Sequence, residues 1–411
     1  MKIQSVSLRN FRGVESLTLA FAEPGAPPPE LVVLAGPNGG GKTSVLEACL
    51  LALGKEPLLG QRGKAHANVQ AGKETSAVTV ALSEDGNSAL TVEATIGAQG
   101  QVERQYGPSL DGLPSAPLVA GFKAIVTTLP TAYFSSWREP LLVGPVAITA
   151  GKKGKRPAAS EENRLWRLKN FVVNLQARRA FAPGEATEAA NQEGEQALLA
   201  RLNEAWQQFY PRSGDRFEAS AASKNVEEGF DLFLIRDNGA HRVPVDSLSS
   251  GEVEVLTFLG TLLLEDLKDG LLFVDEPELH LHPAWHHLVL KVLRDLLPRT
   301  QILCSTHSPH ILNQVPARNV WLLRRENDRV TAVQPQDAYG LEANRVLEDL
   351  MGAPARPQEV AEKLRDLYKL IDLGRLAEAK ATLADLQQYV HADPAFNKAA
   401  MLIHRKEVLG K

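Results

Sequence analysis

The sequence predicts an α/β fold with mixed and parallel sheets, a helical insert in its middle and an α-helical hairpin cap at its end. Three observations predict it. A continuous apolar strand, Leu31 to Ala35, runs into a glycine-rich turn and then an apolar helix. From a strand signal at 230–236, helix-like and strand-like segments alternate to about 333, the pattern of a sheet covered by helices. From Gly340 onward the periodicity is helical only.

In chain order, Ile3, Val6, Leu8, Phe11 and Val14 are separated by polar residues, and Leu17, Leu19 and Phe21 follow. This reads as two strands joined through Arg12-Gly13. A proline-rich loop (Pro24, Pro27, Pro28, Pro29) leads to the strand at 31–35, the turn at 36–41 and a helix from Lys42 to about Leu53. Strand-like stretches recur at 77–82, 89–95 and 124–128, and Gly151-Lys152-Lys153-Gly154-Lys155-Arg156 marks a boundary. Helical spacing follows from about 160 to 210, through Leu165, Leu168, Val172 and Leu175, then Leu198, Leu202, Ala205, Trp206 and Phe209. A strand signal returns at 230–236. Near the end, Leu364, Leu367, Leu370 and Ile371, then Leu376, Ala379, Leu383 and Leu386, read as hairpins of tetratricopeptide type. Gly374, Ala377 and Ala379 are expected at their close-packing points, and one and a half units make a cap, not a solenoid. The expected division is 1–150, an N-terminal lobe; 151–215, a basic helical insert; 216–340, a C-terminal lobe; and 341–411, the cap.

Composition narrows the class. At roughly 150 residues per domain, 411 residues make two to three domains, and 44% hydrophobic with 23% charged residues excludes a mainly disordered chain. Lys and Arg number 45 against 49 Asp and Glu, a net −4, so any nucleic-acid contact needs a local patch. Cys49 and Cys304 form no CxxC pair, which excludes a cysteine-based zinc module or a disulfide scaffold. No signal core and no run of about 18 apolar residues is visible, so a cytoplasmic protein with no membrane partner is expected.

Gly36-Pro37-Asn38-Gly39-Gly40-Gly41-Lys42-Thr43 fits the phosphate-loop pattern G-x4-G-K-[ST], set between a buried strand and a helix. Glycines let backbone N–H groups converge on phosphate oxygens, and the helix N-terminus favours an anion. Gly36, Asn38, Gly39, Gly40, Gly41, Lys42, Thr43 and Ser44 are the expected ATP ligands, with Lys42 at the β- and γ-phosphates and Thr43 on Mg²⁺. A plain strand–helix turn is the bland alternative, disfavoured by the complete pattern. Leu271 to Val274 followed by Asp275-Glu276-Pro277 reads as Walker B, with Asp275 on Mg²⁺ and Glu276 polarising the attacking water. Alone, Asp-Glu after a strand is usually a solvated loop start. Leu248-Ser249-Ser250-Gly251-Glu252 has two readings, a helix N-capping box or an anion-binding loop.

With these residues in place, a resemblance emerges. Ile3-Gln4-Ser5-Val6-Ser7-Leu8-Arg9-Asn10-Phe11-Arg12-Gly13 resembles the first strands of ATPases related to RecF, SMC and the OLD family. Ser249-Ser250-Gly251 resembles the ABC-ATPase signature, which meets the γ-phosphate of a nucleotide held by the other subunit. Glu278-Leu279-His280-Leu281-His282-Pro283 resembles their D-loop, and Ser305-Thr306-His307-Ser308-Pro309 their switch histidine. The resemblance implies an ABC-ATPase head that forms ATP-sandwich dimers, with Lys42, Glu276 and His307 in the hydrolytic machinery. Gln70 is the candidate for the Q-loop glutamine, and Tyr133-Phe134-Ser135-Ser136-Trp137-Arg138 resembles a strand-and-arginine segment of OLD-like ATPases. His280, His282, His286, His287, His307 and His310 cluster in sequence, but D-loop and switch identities account for three of them, against a metal site. Residues 151–180 hold nine cations (Lys152, Lys153, Lys155, Arg156, Arg164, Arg167, Lys169, Arg178, Arg179) against Glu161 and Glu162. Either this is a solvated helix face and link, or it binds nucleic acid through phosphates.

Three function classes compete. Lys42 to Leu248 spans 206 residues, about twice what the transporter family shows, while the insert is far too short for a long SMC coiled coil. The 71 residues after Gly340 lack an Asp-x-Asp pair, leaving no room for the Toprim nuclease of OLD proteins. Size, insert and the tail from Tyr339-Gly340-Leu341 to Leu350-Met351-Gly352 resemble stand-alone ATPases of anti-phage systems, Septu and retron, which act with an HNH nuclease. The resemblance implies a sensor or regulatory motor ATPase, a homodimer with higher assembly open, and a separate effector. A RecF-like DNA-repair ATPase is the alternative, and a transporter subunit the remaining one.

Overall fold

The computed structural model describes residues 1–409 except 24, 64–67, 85–89, 109–115, 137–163, 182–188, 212–213, 222–229, 266, 328, 355 and 390–392. In chain order the elements are β1 (Lys2–Phe11), β2 (Val14–Ala20), β3 (Leu31–Ala35), α1 (Lys42–Ala52), β4 (Thr75–Ser83), β5 (Leu90–Gly97), β6 (Val102–Pro108), α2 (Ala116–Thr128) and β7 (Thr131–Phe134). Next come α3 (Arg164–Phe181), α4 (Ala189–Phe209), β8 (Arg216–Ala221), β9 (Phe230–Arg236), β10 (His241–Pro244), α5 (Ser250–Glu265), β11 (Leu271–Asp275), α6 (His286–Leu296), β12 (Gln301–Thr306), α7 (Pro309–Leu312), β13 (Val320–Glu326) and β14 (Arg329–Val333). The one-turn α8 (Ala343–Arg345) precedes α9 (Gln358–Asp372), α10 (Leu376–Tyr389) and α11 (Pro394–Leu409).

Two compact units result, Met1–Ala343 and Asn344–Lys411. The first contains three sheets. One is antiparallel, in the order β2-β1-β4-β5-β6; a second, β10-β9-β8, is also antiparallel. The third runs β14-β13-β3-β12-β11-β7, parallel except for β14. Parallel strands are covered on both faces and so read as unbroken apolar runs. Accordingly, every residue of β3, β11 and β12 is buried.

Helix α1 is buried from Val45 to Ala52 and shares one core with the antiparallel and parallel sheets. A helix buried on all sides has no solvent face to offer, and its one acid, Glu47, is paired inside; Leu46→Ala here would cost about 2–5 kcal/mol. Helices α3 and α4 pack on α5, whose Gly260 admits Leu168 so closely that an added Cβ would lie 2.4 Å from its methyl carbon.

Register positions the site. Ala35 pairs with Thr306, and Asp275 pairs with Ser305. The carboxyl ends of β3, β12 and β11 therefore lie side by side, where open parallel sheets bind ligands.

Two expectations need correction. Residues 124–128 form the last turns of α2, not a strand. Phe122, Val126 and Leu129 fall at helical spacing toward the core, Ile125 stays exposed, and Thr127 and Thr128 return their hydroxyls to the carbonyls of Lys123 and Ala124. In the second unit, Gly374 and Ala377 are not packing points. Gly374 has φ 74° with open space beside it and ends α9 as a left-handed cap, while Ala377 is exposed; only Ala379 enters the core with Leu367, Ile371, Leu383 and Phe396. Among the described residues no helix is long and apolar enough to cross a membrane.

Candidate nucleotide site

The loop after β3 is shaped by one close approach. Gly36 has φ 133°, and a Cβ there would sit 2.1 Å from the Leu323 carbonyl oxygen of β13. No other residue fits. Gly41, at φ 95°, turns the chain into α1. Lys42 is buried, and its Nζ donates to the Gly36 and Pro37 carbonyls at 2.8 and 3.0 Å. Burial lowers its pKa below the ordinary lysine value, opposed by the charges of Glu276, Asp275 and Glu278.

Across from it, Asp275 at the end of β11 accepts Thr43 Oγ1 on both carboxylate oxygens, at 3.0 and 2.9 Å, and also accepts Ser305 Oγ. Glu276 stands at φ 53°, left-handed backbone that a non-glycine residue adopts only when held there. Its amide donates to Ser305 O at 3.2 Å and Oγ at 3.0 Å, which supplies the hold. His307 Nδ1 lies 3.2 Å from Glu276 Oε1. Buried Glu278 braces the loop after β12, accepting Thr306 Oγ1 at 2.6 Å and the His307 amide at 3.1 Å.

These groups border a cleft of about 360 Å³, within the range of small-molecule sites. Of the residues expected from sequence, Asn38, Gly39, Gly41, Lys42, Thr43, Ser44 and Glu276 line it. Gly36 and Gly40 sit against the Leu323 backbone, and Asp275 and His307 adjoin through Thr43 and Glu276. The Thr43 hydroxyl and Asp275 carboxylate are hard oxygen donors of the kind Mg²⁺ takes, so the pair fits that ion.

Ser249, Ser250 and Gly251 do not border this cleft. Ser249 and Glu252 form the capping box of α5: the Glu252 carboxylate accepts the Ser249 amide at 3.0 Å and hydroxyl at 2.9 Å. Arg236 pairs with the same carboxylate. Sequence reasoning missed Gly13, Val14 and Arg325, which also line the cleft. Arg12-Gly13 was legible as a turn, but nothing near Arg325 signals a site.

Gln70 does not line the cleft; its amide donates to Asn10 O at 2.9 Å. Tyr133 donates to the buried Glu47 at 3.0 Å, and Arg12 pairs with that carboxylate; Trp137 and Arg138 lie outside the described residues. Of the histidines, His282 accepts the Ala284 amide, His286 meets Ser308 and His287 meets Gln314, while the His310 ring packs against those of His286 and His287. In the basic segment, Lys152, Lys153, Lys155 and Arg156, and the side chains of Arg178 and Arg179, lie outside the described residues. Its other three cations face inward. Arg164 donates to Tyr133 O at 2.6 Å over the Phe134 ring, Arg167 pairs with Glu265 at 2.8 Å, and Lys169 is enclosed by Asp231 and Asp246.

Residues 5–112 match a family described as "AAA domain", and residues 153–313 one described as "AAA domain, putative AbiEii toxin, Type IV TA system". The chain is 28% identical to the "Septu protein PtuA" of Bacillus thuringiensis over 162 residues, 35% of this chain and 40% of that protein. It is 30% identical to the "Retron Ec83 probable ATPase" of Escherichia coli over 177 residues, 39% of this chain and 32% of that protein. The matched stretch thus spans well under half of either relative's length. In structure, an SMC head solved with the C-terminal winged-helix domain of ScpA matches 82% of this chain and 98% of its own, with a TM-score of 0.52 at 13% identity. The chain has the fold of an SMC-head P-loop ATPase and is related in sequence to the Septu and retron ATPases.

Proposed function

We propose that the chain binds ATP with Mg²⁺ and hydrolyses it as an ATP-sandwich dimer. This cycle would make it the sensor or regulatory motor of an anti-phage defence complex whose effector is a separate protein, an HNH nuclease. One observation carries the enzymatic reading: Thr43 of the phosphate loop bonds Asp275 of β11, beside a Glu276–His307 pair. The phosphate loop, the Asp275–Glu276 pair and His307 come from three places in the sequence and lie at or beside one cleft. The defence role and the separate effector both draw on kinship with the Septu and retron proteins.

Lys42 exchanges the Gly36 and Pro37 carbonyls for phosphate oxygens, a swap its buried position favours. Thr43 and Asp275 would hold Mg²⁺, which when bound would supply charge neutralisation at the phosphates. Glu276 accepts the proton of the attacking water, and His307, within reach of the same carboxylate, reads whether the γ-phosphate is present. Ser249, Ser250 and Gly251 lie off their own cleft, so the reading assigns them to the partner's nucleotide.

Subunit complementation tests the sandwich. Lys42→Ala and Ser250→Arg each abolish both composite sites of a homodimer. A mixture forms heterodimers with one intact site, from the phosphate loop of one subunit and the signature of the other, and should recover part of the ATP turnover. A mixture as inactive as either variant alone contradicts the arrangement.

A further inference from the structure

Three further residues line the cleft beside those assigned above to phosphate and metal, namely Gly13, Val14 and Arg325. They come from the β1–β2 turn, β2 and β13. Strand β13 fixes them relative to the phosphate loop. The Leu323 carbonyl presses on Gly36 and Gly40 within the sheet, and the Arg325 side chain, two residues on, shares the strand face of the Leu323 side chain. The guanidinium is set by a second contact: its NH2 donates to Gly13 O at 2.9 Å. A Cβ at Gly13 would lie 2.4 Å from Arg325 NH2, so a side chain there would displace the guanidinium. Val14 and Val330, the strand partner of Arg325, flank Gly41; an added Cβ on Gly41 would lie 3.6 and 3.5 Å from their methyl groups. This wall of the cleft therefore combines a planar cation, a valine and a bare backbone turn, joined directly to the phosphate loop.

Among the described residues that line the cleft, none is aromatic. The flat group available to a nucleobase is the exposed Arg325 guanidinium, and guanidinium planes stack on heteroaromatic rings in a way an ammonium does not. We infer that Arg325 is the nucleoside-side contact of this site, stacking on the base of the bound nucleotide while Gly13 holds it in place. The inference rests on the phosphate-loop reading and adds to it the residue that separates a nucleotide from a bare phosphate chain.

The test compares ATP and ADP with inorganic tripolyphosphate, titrated calorimetrically into the full chain. Arg325→Ala and Arg325→Lys should each weaken ATP and ADP about three- to ten-fold, the range of a partly exposed cation–π contact, and leave tripolyphosphate unchanged. Gly13→Ala, which displaces the guanidinium without removing it, should act in the same direction. Lys42→Ala should weaken all three ligands. Equal loss of tripolyphosphate and ATP in Arg325→Ala would reassign Arg325 to the phosphates and overturn the inference. Wild-type ATP affinity in Arg325→Ala or Arg325→Lys would overturn it too. A wild-type chain that binds neither ATP nor tripolyphosphate would instead remove the phosphate-loop reading on which it stands.

Discussion

Lys169 is the sharpest case of a residue whose sequence context misleads, and its replacement yields a quantitative test. It sits in a run of cations, yet its side chain is 0% exposed, with Nζ 2.7 Å from Asp231 Oδ1 and bonded to Asp246 Oδ2. Asp231 and Asp246 are 5% and 17% exposed, so neither carboxylate has water enough to stand alone. Lys169→Ala leaves two negative charges beside a cavity, and breaking a buried pair from one side costs about 3–5 kcal/mol. For the 343 residues of the first unit, an unfolding entropy near 2.1 cal/mol/K per residue gives about 0.7 kcal/mol/K. The melting temperature should therefore fall by roughly 4–7 °C. Scanning fluorimetry measures it, with Asp231→Asn and Asp246→Asn added to Lys169→Ala to restore part of the loss. A shift under about 1 °C would show the triad to be solvated and refute the reasoning, because solvated pairs contribute at most that order.

Two other predictions concern the remaining cations and the second unit. Replacing Lys152, Lys153, Lys155 and Arg156 by Ser should reduce affinity for random-sequence DNA and RNA and flatten its salt dependence, about 0.9 log–log units per duplex phosphate released; no anisotropy signal from the wild type at ~50 mM salt would end that role. In the second unit, a bidentate hydrogen bond from Arg356 (2.6 and 3.0 Å) and the Ala395 amide hold the Asp393 carboxyl below its ordinary 3.8, against the effect of burial. A depressed carboxyl stabilises above its unfolded value and loses that contribution as pH falls through the folded one. Hydrogen exchange of α11, corrected for intrinsic rates, should lose protection below about pH 4, and Asp393→Asn should be less protected at neutral pH and lack this acid step; an identical acid step in the variant would assign it elsewhere.

The strand–loop–helix at 31–52 was legible because each level agreed: an unbroken apolar strand, glycines where φ is positive, and an apolar helix. The 230–236 strand was legible for the same reason. Residues 124–128 were not, because a short β-branched run looks alike in a strand and in the buried turn of a helix. Helical spacing through Phe122 and Leu129 held the answer. Inward-facing Arg164, Arg167 and Lys169 were illegible in principle, since their partners Tyr133, Glu265, Asp231 and Asp246 lie from 31 to 98 residues away and only the fold brings them near. Arg325 escaped for a related reason. Its place depends on β13 lying next to β3, which sequence alone did not reveal. The Ser249–Glu252 box shows the opposite case, a local pattern that reads correctly as a cap, with the wider role proposed for it resting on a second copy of the chain.

In the proposed mechanism, Glu276 activates water at a nucleotide shared between two copies of this chain. Glu276→Gln keeps the phosphate contacts of Lys42 and Thr43 and removes only the base. With ATP and Mg²⁺, light scattering should show the 44.7 kDa chain accumulating at twice its mass, with phosphate release reduced at least about 100-fold, as expected for loss of a general base. Wild-type phosphate release by Glu276→Gln, or a mass unaffected by ATP, would contradict the account.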